Sequence, residues 1–431
     1  MAEPLQGRRV LVGISGGIAC YKACELVRAL RQAGATVPVV MTRGAREFVA
    51  PLTLQTLSGR PVATETFDLT QESEIGHIRL ADTADVVVIA PATANVIAKL
   101  AHGIADDLLT TVLLATRAPV LVAPAMNVHM WEHPATRENV ATLAGRGVRI
   151  VGPAVGSLAC GYEGAGRLAE IPDIVEGIVT ALTPQDLAGE RVLVSAGPTR
   201  EAIDPVRYLT NHSSGKMGYA IARVARRRGA EVTLVSGPVA LPPPPGVRTI
   251  PVESAREMAA ALRSEFPRAT LLVMAAAVAD YRAARPAERK VKKSSSHLAL
   301  ELARNEDIIS GLAAAKRDRV VVGFAAETHD LVTEARRKLR EKRLDLVVAN
   351  DVTAEGAGFG SDTNVVRLID AAGGDEVLPV LPKDEVAARI LDWFVQRRQG
   401  AARRRPAPVT RRVAGARAAR RRSRRGPRPS P

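Results

Sequence analysis

Aromatic side chains are nearly absent from this chain: six Phe, five Tyr and two Trp among 431 residues, or 3%, against 46% hydrophobic residues. Its cores must therefore be built from Ala, Val, Leu and Ile, the material of buried parallel sheets. Cysteine is scarce as well, and three Cys make neither a disulfide framework nor a zinc site. The expected setting is reducing and cytoplasmic. Cys20 and Cys24, four apart on an expected helix, read as small core residues. Long apolar runs are missing too: the longest, 271–279, is well short of the roughly 20 residues that cross a bilayer. Glu3 and Pro4 stand where the charged start of a leader would be, so no signal peptide is expected. The glycine-rich stretches fit neither Walker A nor the dinucleotide Gly-x-Gly-x-x-Gly spacing.

Acidic residues are missing from one stretch in particular. From Arg397 to Pro431 there are fourteen Arg and no Lys, Asp or Glu, so almost all of the net charge of +15 lies there. This stretch, rich in Arg, Pro and Ala and without hydrophobic periodicity, reads as a disordered basic tail. A nucleic-acid protein driven by that tail would lose its activity with the tail and depend steeply on salt. With the body near-neutral, the tail reads as a solubilising or accidental extension, weak contact with RNA, DNA or acidic partners being the alternative.

What is present is a repeated grammar. Short β-branched runs fall at 10–13, 37–41, 86–90, 120–123 and 148–151, then at 192–195, 232–236, 271–275, 320–324, 346–349 and 365–369. Helical patterns intervene, as at 18–32, 95–100 and 219–228. Strands alternating with helices predict parallel sheets with right-handed crossovers. The fold class is thus α/β: two tandem Rossmann-like, doubly wound, mainly parallel domains. Arg9-Val10-Leu11-Val12 returns as Arg191-Val192-Leu193-Val194, which shared fold grammar explains as well as duplication does. The boundary falls near Thr183-Pro184-Gln185-Asp186, giving domains at 1–188 and 189–396 and the tail at 397–431.

In open sheets of this kind ligands sit beyond the carboxyl ends of the strands. The stretch Asn211-His212-Ser213-Ser214-Gly215-Lys216-Met217-Gly218 lies at a helix start, where small residues let backbone N–H groups approach an anion. Gly13-Ile14-Ser15-Gly16-Gly17-Ile18-Ala19 is a second phosphate-sized loop. Ala90-Pro91-Ala92-Thr93-Ala94-Asn95 and Pro124-Ala125-Met126-Asn127 suggest a flat, uncharged ligand edge read by amides and hydroxyls. An ordinary NAD(P) oxidoreductase would want the glycine fingerprint and leaves Cys160 unexplained.

Together with Gly76-His77-Ile78 and Ala159-Cys160-Gly161-x-x-Gly164-x-Gly166-Arg167, the first-half loops resemble those of flavin-dependent cysteine decarboxylases. The second-half motifs are similar to phosphopantothenate–cysteine ligases, so the chain up to about Phe394 resembles the bifunctional decarboxylase/ligases of coenzyme A synthesis. That resemblance implies FMN held by Ser15, Gly16, Gly17, Ile18, Thr42, Thr93, Asn95 and Met126. FMN would oxidise the cysteinyl carbon and so supply the electron sink that loss of carbon dioxide needs. It implies Cys160 as proton donor to the resulting enethiol, His77 in proton traffic or positioning, and Asn127 on the substrate carboxylate.

For the second half the resemblance implies CTP as co-substrate, 4'-phosphopantothenate and cysteine as substrates, and an acyl-cytidylate formed or held by Asn211. Ala275, Ala276, Asn305, Asp307, Ile308, Ile309 and Phe324 border the implied nucleotide site, with Lys290, Lys338 and Lys342 on its phosphates. Glu306 stands where the family pattern expects Pro, so contacts from 306 to 309 match least well. Asp280, ending a buried strand, is the implied holder of Mg2+ or Mn2+ or of the ribose. A homo-oligomer is implied as well, trimeric through the flavin domains and dimeric through the ligase domains.

Overall fold

The computed structural model describes residues 4–66, 76–157, 161–292, 298–327, 330–351, 358 and 360–404. Its first sheet is formed by β1 (Val10–Ile14), β2 (Val39–Met41), β3 (Val62–Ala63), β4 (Val86–Ala92), β5 (Val120–Pro124) and β6 (Arg149–Ile150). All neighbours are parallel, in the order 3-2-1-4-5-6. The β-branched runs follow from burial on both faces: Val10, Val12 and Ile14 pack into one core cluster while Leu11 packs into the opposite one. A Gly-rich antiparallel hairpin, β7 (Ala154–Ser157) and β8 (Glu163–Arg167), follows. The helix Ile171–Leu182 closes the domain.

The second domain repeats the order on a larger scale. It begins with β9 (Arg191–Ala196), the hairpin β10 (Arg200–Ala202) and β11 (Tyr208–Thr210), β12 (Glu231–Ser236), β13 (Arg248–Pro251) and β14 (Leu271–Met274). A small antiparallel pair, β15 (Tyr281–Ala283) and β16 (Leu302–Arg304), comes next. Then come β17 (Val320–Glu327), β18 (Leu346–Asp351), β19 (Thr363–Asn364), β20 (Val366–Asp370) and β21 (Asp375–Val377). The main sheet runs 13-12-9-14-17-18-20-21. The alternation of faces recurs, with Val192 and Val194 in one cluster and Leu193 in the other.

Each strand expected from the sequence is present, but the last has a different direction. β20 runs antiparallel to β18, and β21 is antiparallel to β20. A parallel return generally needs a helical crossover, and none of the described residues between β18 and β20 is helical. The helix expected at 219–228 starts earlier, at Lys216, directly on the glycine loop. Cys20 is fully buried, whereas Cys24 is half-buried against the same core.

The last helix, Lys383–Arg404, continues past Arg397, where composition predicts the tail to begin. Arg397 pairs with the buried Asp345 at 2.8 Å and lies over the Trp393 ring, and Arg398 reaches Glu190 at 3.1 Å. These partners give the basic segment a reason to stay helical that composition does not show. Residues 405–431 lie outside the described residues.

A half-buried ion network joins the domains. Arg227, at the end of the helix Lys216–Arg227, makes a bidentate pair with Glu176 of the first domain at 2.6 and 2.6 Å, and reaches Asp384 at 2.9 Å. Arg228 binds Asp186 of the linker and Asp392.

Candidate active sites

The reversal of strand order in the first sheet lies between β1 and β4, so the loops after them diverge and leave a crevice. Ser15, fully buried, ties the two loops: its Oγ donates to the Pro91 carbonyl at 2.8 Å and accepts from the Thr93 amide at 2.9 Å. Gly16 must be glycine because a Cβ there would meet the Gly44 backbone at 2.5 Å. Above this floor opens a cavity of 740 Å³ lined by Gly16, Gly17, Ile18, Thr93, Met126 and Asn127. Its volume lies within the range of about 300–1,000 Å³ usual for small-molecule sites. Apolar surface from Ile18, Met126 and Met130 against the polar edges of Thr93 and Asn127 suits a planar, partly polar ring such as FMN.

Not every implied flavin residue is there. Thr42 caps the helix Arg43–Arg46 at the end of β2, and Asn95 is exposed on the helix Ala94–His102; neither lines the cavity. Asn127 Oδ1 accepts from the His129 amide at 2.8 Å and so also caps a short helix. Cys160 lies outside the described residues. His77 begins the helix Gly76–Thr83 and lines a different cleft, with Arg9, Arg60 and Arg79, that shares no residue with the flavin-type cavity. Tyr21, Lys22, Met130 and Ser157 line the larger cavity and were not legible as site residues. The period-3.6 placement of Tyr21 and Lys22 just after the glycine loop was the available signal.

In the second domain the strand order reverses between β9 and β14. Here a cavity of 140 Å³ brings the glycine loop, through Ser213, Gly215 and Lys216, against Ala275, Ala276 and Phe324. Gly215 sits at φ +75°, a left-handed conformation suited to glycine, directly before the helix. Asn211 does not line this cavity. Its Nδ2 donates to the Val278 carbonyl at 3.0 Å and anchors the loop to the chain leaving β14. Asn305 Nδ2 donates to the neighbouring Ala279 carbonyl at 2.8 Å, and the Asn305 amide donates to the Asp280 carbonyl at 2.8 Å. Asn211, Asp280 and Asn305 therefore gather around one turn.

Asp307 caps the helix that Ile308 and Ile309 begin, and pairs with Lys342 at 3.1 Å. Burial disfavours its charged form, yet the hydrogen bonds from Ser310 and the Lys342 ion pair hold the carboxyl below its ordinary value. Lys338 lies one turn before Lys342, on the helix Leu331–Glu341. Lys290 is exposed beside Val291, whose amide donates to Asp204 at 3.1 Å. Asp280 is exposed, and the described residues contain no group of three or more His, Cys, Asp or Glu able to hold a metal ion.

Two lysines of this site were not singled out by sequence reasoning. Lys216 Nζ donates to Asp362 at 2.7 Å and to the Gly360 carbonyl at 2.8 Å. Lys383 is buried and donates to the carbonyls of Ser361 and Thr363, the latter at 3.0 Å. Burial and then the nearby Lys216 push the Lys383 pKa down, with Asp362 opposing. Asn350 and Asn364 complete the wall. Nothing local in the sequence links 216 with 383, since the contact exists only once β18 and β20 are paired.

Two glycine-loop cavities at the reversal points of tandem doubly wound sheets define a two-domain α/β protein of flavoprotein type. Residues 2–183 match the Flavoprotein family, and residues 187–397 match the DNA/pantothenate metabolism flavoprotein C-terminal domain. The chain belongs to the family of coenzyme A biosynthesis bifunctional proteins. It is 50% identical over 392 residues to the bifunctional protein CoaBC of Vibrio cholerae, covering 90% of this chain and 98% of that protein. To the Bacillus subtilis CoaBC it is 51% identical over 391 residues, covering 90% and 96%. Among solved structures, the C-terminal domain of a CoaBC is 42% identical, with a TM-score of 0.44, covering 50% of this chain and 99% of that one. A PPC decarboxylase mutant complexed with pantothenoylaminoethenethiol is 32% identical, with a TM-score of 0.36, covering 40% and 96%. As a member of this family the chain is a bifunctional enzyme of coenzyme A biosynthesis, with decarboxylase and ligase activities.

Proposed function

We propose that the second domain joins 4'-phosphopantothenate to cysteine at the expense of CTP, and that the first domain decarboxylates the product to 4'-phosphopantetheine with FMN. The observation that carries this reading is the pairing of one glycine-loop cavity per domain, each at a strand-order reversal, within one chain.

FMN, when bound, would take electrons from the thiol-bearing carbon so that decarboxylation becomes easy. The chain's own residues do the rest. Ser15 and Gly16 set the loop whose backbone N–H groups face a phosphate. Ile18 and Met126 exclude water from the ring. Asn127 would offer neutral amide donors to the substrate carboxylate, without a fixed positive charge that would hold the carboxylate in place. Cys160 is proposed as the donor that returns a proton to the enethiol.

In the ligase, Phe324 packs against the base, while Ala275 and Ala276 leave room for the nucleotide. Lys290, Lys338 and Lys342 are proposed to neutralise its phosphates. Asn211 is proposed to hold the acyl-cytidylate until cysteine attacks. The exposed carboxylate of Asp280 suits a divalent ion, Mg2+ or Mn2+, that arrives with the triphosphate and keeps most of its waters.

The separation of His77 from Asn127 favours a decarboxylase site shared between copies, with the flavin domains grouped as trimers and the ligase domains paired. Mixing His77→Asn with Asn127→Ala chains should restore part of the activity that each lacks alone. Absence of any rescue in co-assembled mixtures would count against sharing.

The whole reading is tested by incubating the protein with 4'-phosphopantothenate, cysteine and CTP while following pyrophosphate and carbon dioxide separately. Both should appear, carbon dioxide after pyrophosphate, from a yellow protein. Release of neither, or turnover by a colourless preparation that cannot be reconstituted, would refute it.

A further inference from the structure

The tight turn between β9 and β10, Gly197-Pro198-Thr199, buries one polar side chain completely: Thr199 is 0% exposed. A hydroxyl is costly to bury unless it is hydrogen-bonded, and Thr199 Oγ1 accepts from the Ala279 amide at 3.0 Å. That amide belongs to the same peptide group as the Val278 carbonyl, which accepts from Asn211 Nδ2 at 3.0 Å. A peptide group is planar and, when trans, points its N–H and its C=O in opposite directions. One rigid plane is therefore held from its buried side by Thr199 and meets Asn211 on its exposed side. Rotating the plane to free the Ala279 amide would swing the Val278 carbonyl away from Asn211.

Thr199 reaches Asn211 by a second route. Its carbonyl accepts from Thr210 Oγ1 at 2.8 Å, which ties down the residue directly before Asn211. The turn itself is docked on the chain leaving β14, since the Ala277 amide donates to the Gly197 carbonyl at 2.9 Å. An Asn amide carries two N–H donors and one carbonyl acceptor. With one donor of Asn211 committed to Val278, its second N–H and its Oδ1 keep a fixed direction.

We propose that Thr199 is a positioning residue of the ligase, whose hydroxyl and carbonyl together set the direction in which Asn211 presents its amide to the acyl-cytidylate. The inference rests on the role proposed above for Asn211. Thr199 acts through the Val278–Ala279 peptide and through Thr210. Without its hydroxyl the buried Ala279 amide loses its acceptor, and the plane that carries Asn211 is free to turn. A small misplacement of a group that holds a reacting intermediate slows the chemical step far more than it weakens binding elsewhere.

The test uses the full chain with Thr199→Val, which keeps the shape and removes the hydroxyl, and Thr199→Ser, which keeps the hydroxyl. Folding is checked by circular dichroism. In Thr199→Val, kcat for joining 4'-phosphopantothenate to cysteine should fall about tenfold while KM for CTP stays within about twofold, and Thr199→Ser should keep most of the wild-type rate. A wild-type kcat in Thr199→Val, a matching rise in KM for CTP, or a Thr199→Ser as slow as Thr199→Val overturns the proposal. Should Thr199→Val not fold, Thr210→Val removes the second contact at an exposed residue. It should show the same fall in kcat at an unmoved KM, and a wild-type kcat there overturns the proposal instead.

A double-mutant arm separates this inference from the reading it rests on. Asn211→Ala should be slow, and adding the Thr199 substitution (or Thr210→Val in its place) should cost little more, because the side chain it positions is already gone. Losses that simply multiply would mean that Thr199 acts independently of Asn211, which overturns the positioning and leaves the role of Asn211 standing. A wild-type kcat in the single Asn211→Ala variant would refute that role, and the positioning with it.

Discussion

Ser15 and Thr93 are joined across the strand-order reversal of the first sheet, the Ser15 Oγ accepting from the Thr93 amide at 2.9 Å. The same hydroxyl donates to the Pro91 carbonyl at 2.8 Å, so one buried side chain fixes the distance between the loops that follow β1 and β4. Both loops then contribute to the wall of the flavin-type cavity, through Gly16 and Gly17 on one side and Thr93 on the other.

Ser15→Ala should therefore loosen the cavity while sparing the ligase. It leaves the half-buried Thr93 amide without its acceptor, while the Pro91 carbonyl keeps the backbone amide of residue 15 at 3.3 Å, a loss of about 1–3 kcal/mol. The expected outcome is weaker FMN retention and a lower melting temperature of the flavin domain, with pyrophosphate release unchanged. Fluorescence titration of the apoprotein with FMN checks it, and wild-type affinity in the variant would contradict it.

Lys383→Met should raise the CTP requirement of the ligase and leave carbon dioxide release from preformed substrate intact. The ammonium holds the carbonyls of Ser361 and Thr363 beside Asn364 in the cavity wall, and methionine fills the volume without donating. A rise in KM for CTP of about tenfold is expected from losing one charge-assisted contact. Initial-rate kinetics over a range of CTP concentrations measures it; an unmoved KM would remove Lys383 from the site.

Asp204 should make the ligase domain sensitive to acid. Its carboxylate accepts from Arg207 Nε at 3.0 Å and from the amides of Val206, Arg207 and Val291, and these hold its pKa far below the ordinary carboxylate value. Because the folded value is depressed, the stabilisation is fully present above the unfolded value of about 4 and is lost as pH falls toward the folded one. Asp204→Asn should be less stable at neutral pH, and its stability should change less between about pH 4 and pH 2. Urea melts across that range would show parallel slopes for both proteins if the inference fails. The bond to Val291 also predicts a weaker hold on the adjacent Lys290, read as reduced ligase activity.

Glu176→Gln should uncouple the two domains. The bidentate pair with Arg227 is half-buried, so neutralising one partner leaves an imperfectly matched guanidinium and costs about 1–3 kcal/mol. Desolvation opposes the Arg227 charge, but Glu176 and then Asp384 outweigh it and raise its pKa. Calorimetry should resolve two unfolding transitions where the wild type shows a more cooperative one; a single unchanged transition would show that the bridge does not couple the domains.

Much of the fold could be read in advance because it depends on local chemistry. A strand buried on both faces must be a run of Val, Ile and Leu, and β1, β4, β9 and β14 stood out for that reason. The glycine loops were legible too, since close backbone approach leaves a compositional mark. The antiparallel turn of β20 was not, because direction depends on what connects two strands rather than on the strands themselves.

The sequence by itself determined two doubly wound sheets, the places where their loops gather, and the residue types that meet a phosphate or a planar ring. Only the tertiary structure decided which of those residues share a cavity. It moved His77 away from Asn127, drew Asn211 to the Val278 carbonyl, and brought Lys216 and Lys383 to one wall. The physical reason is range: propensity and pattern act over a few residues, whereas these contacts arise when strands far apart in the chain pair and carry their loops together.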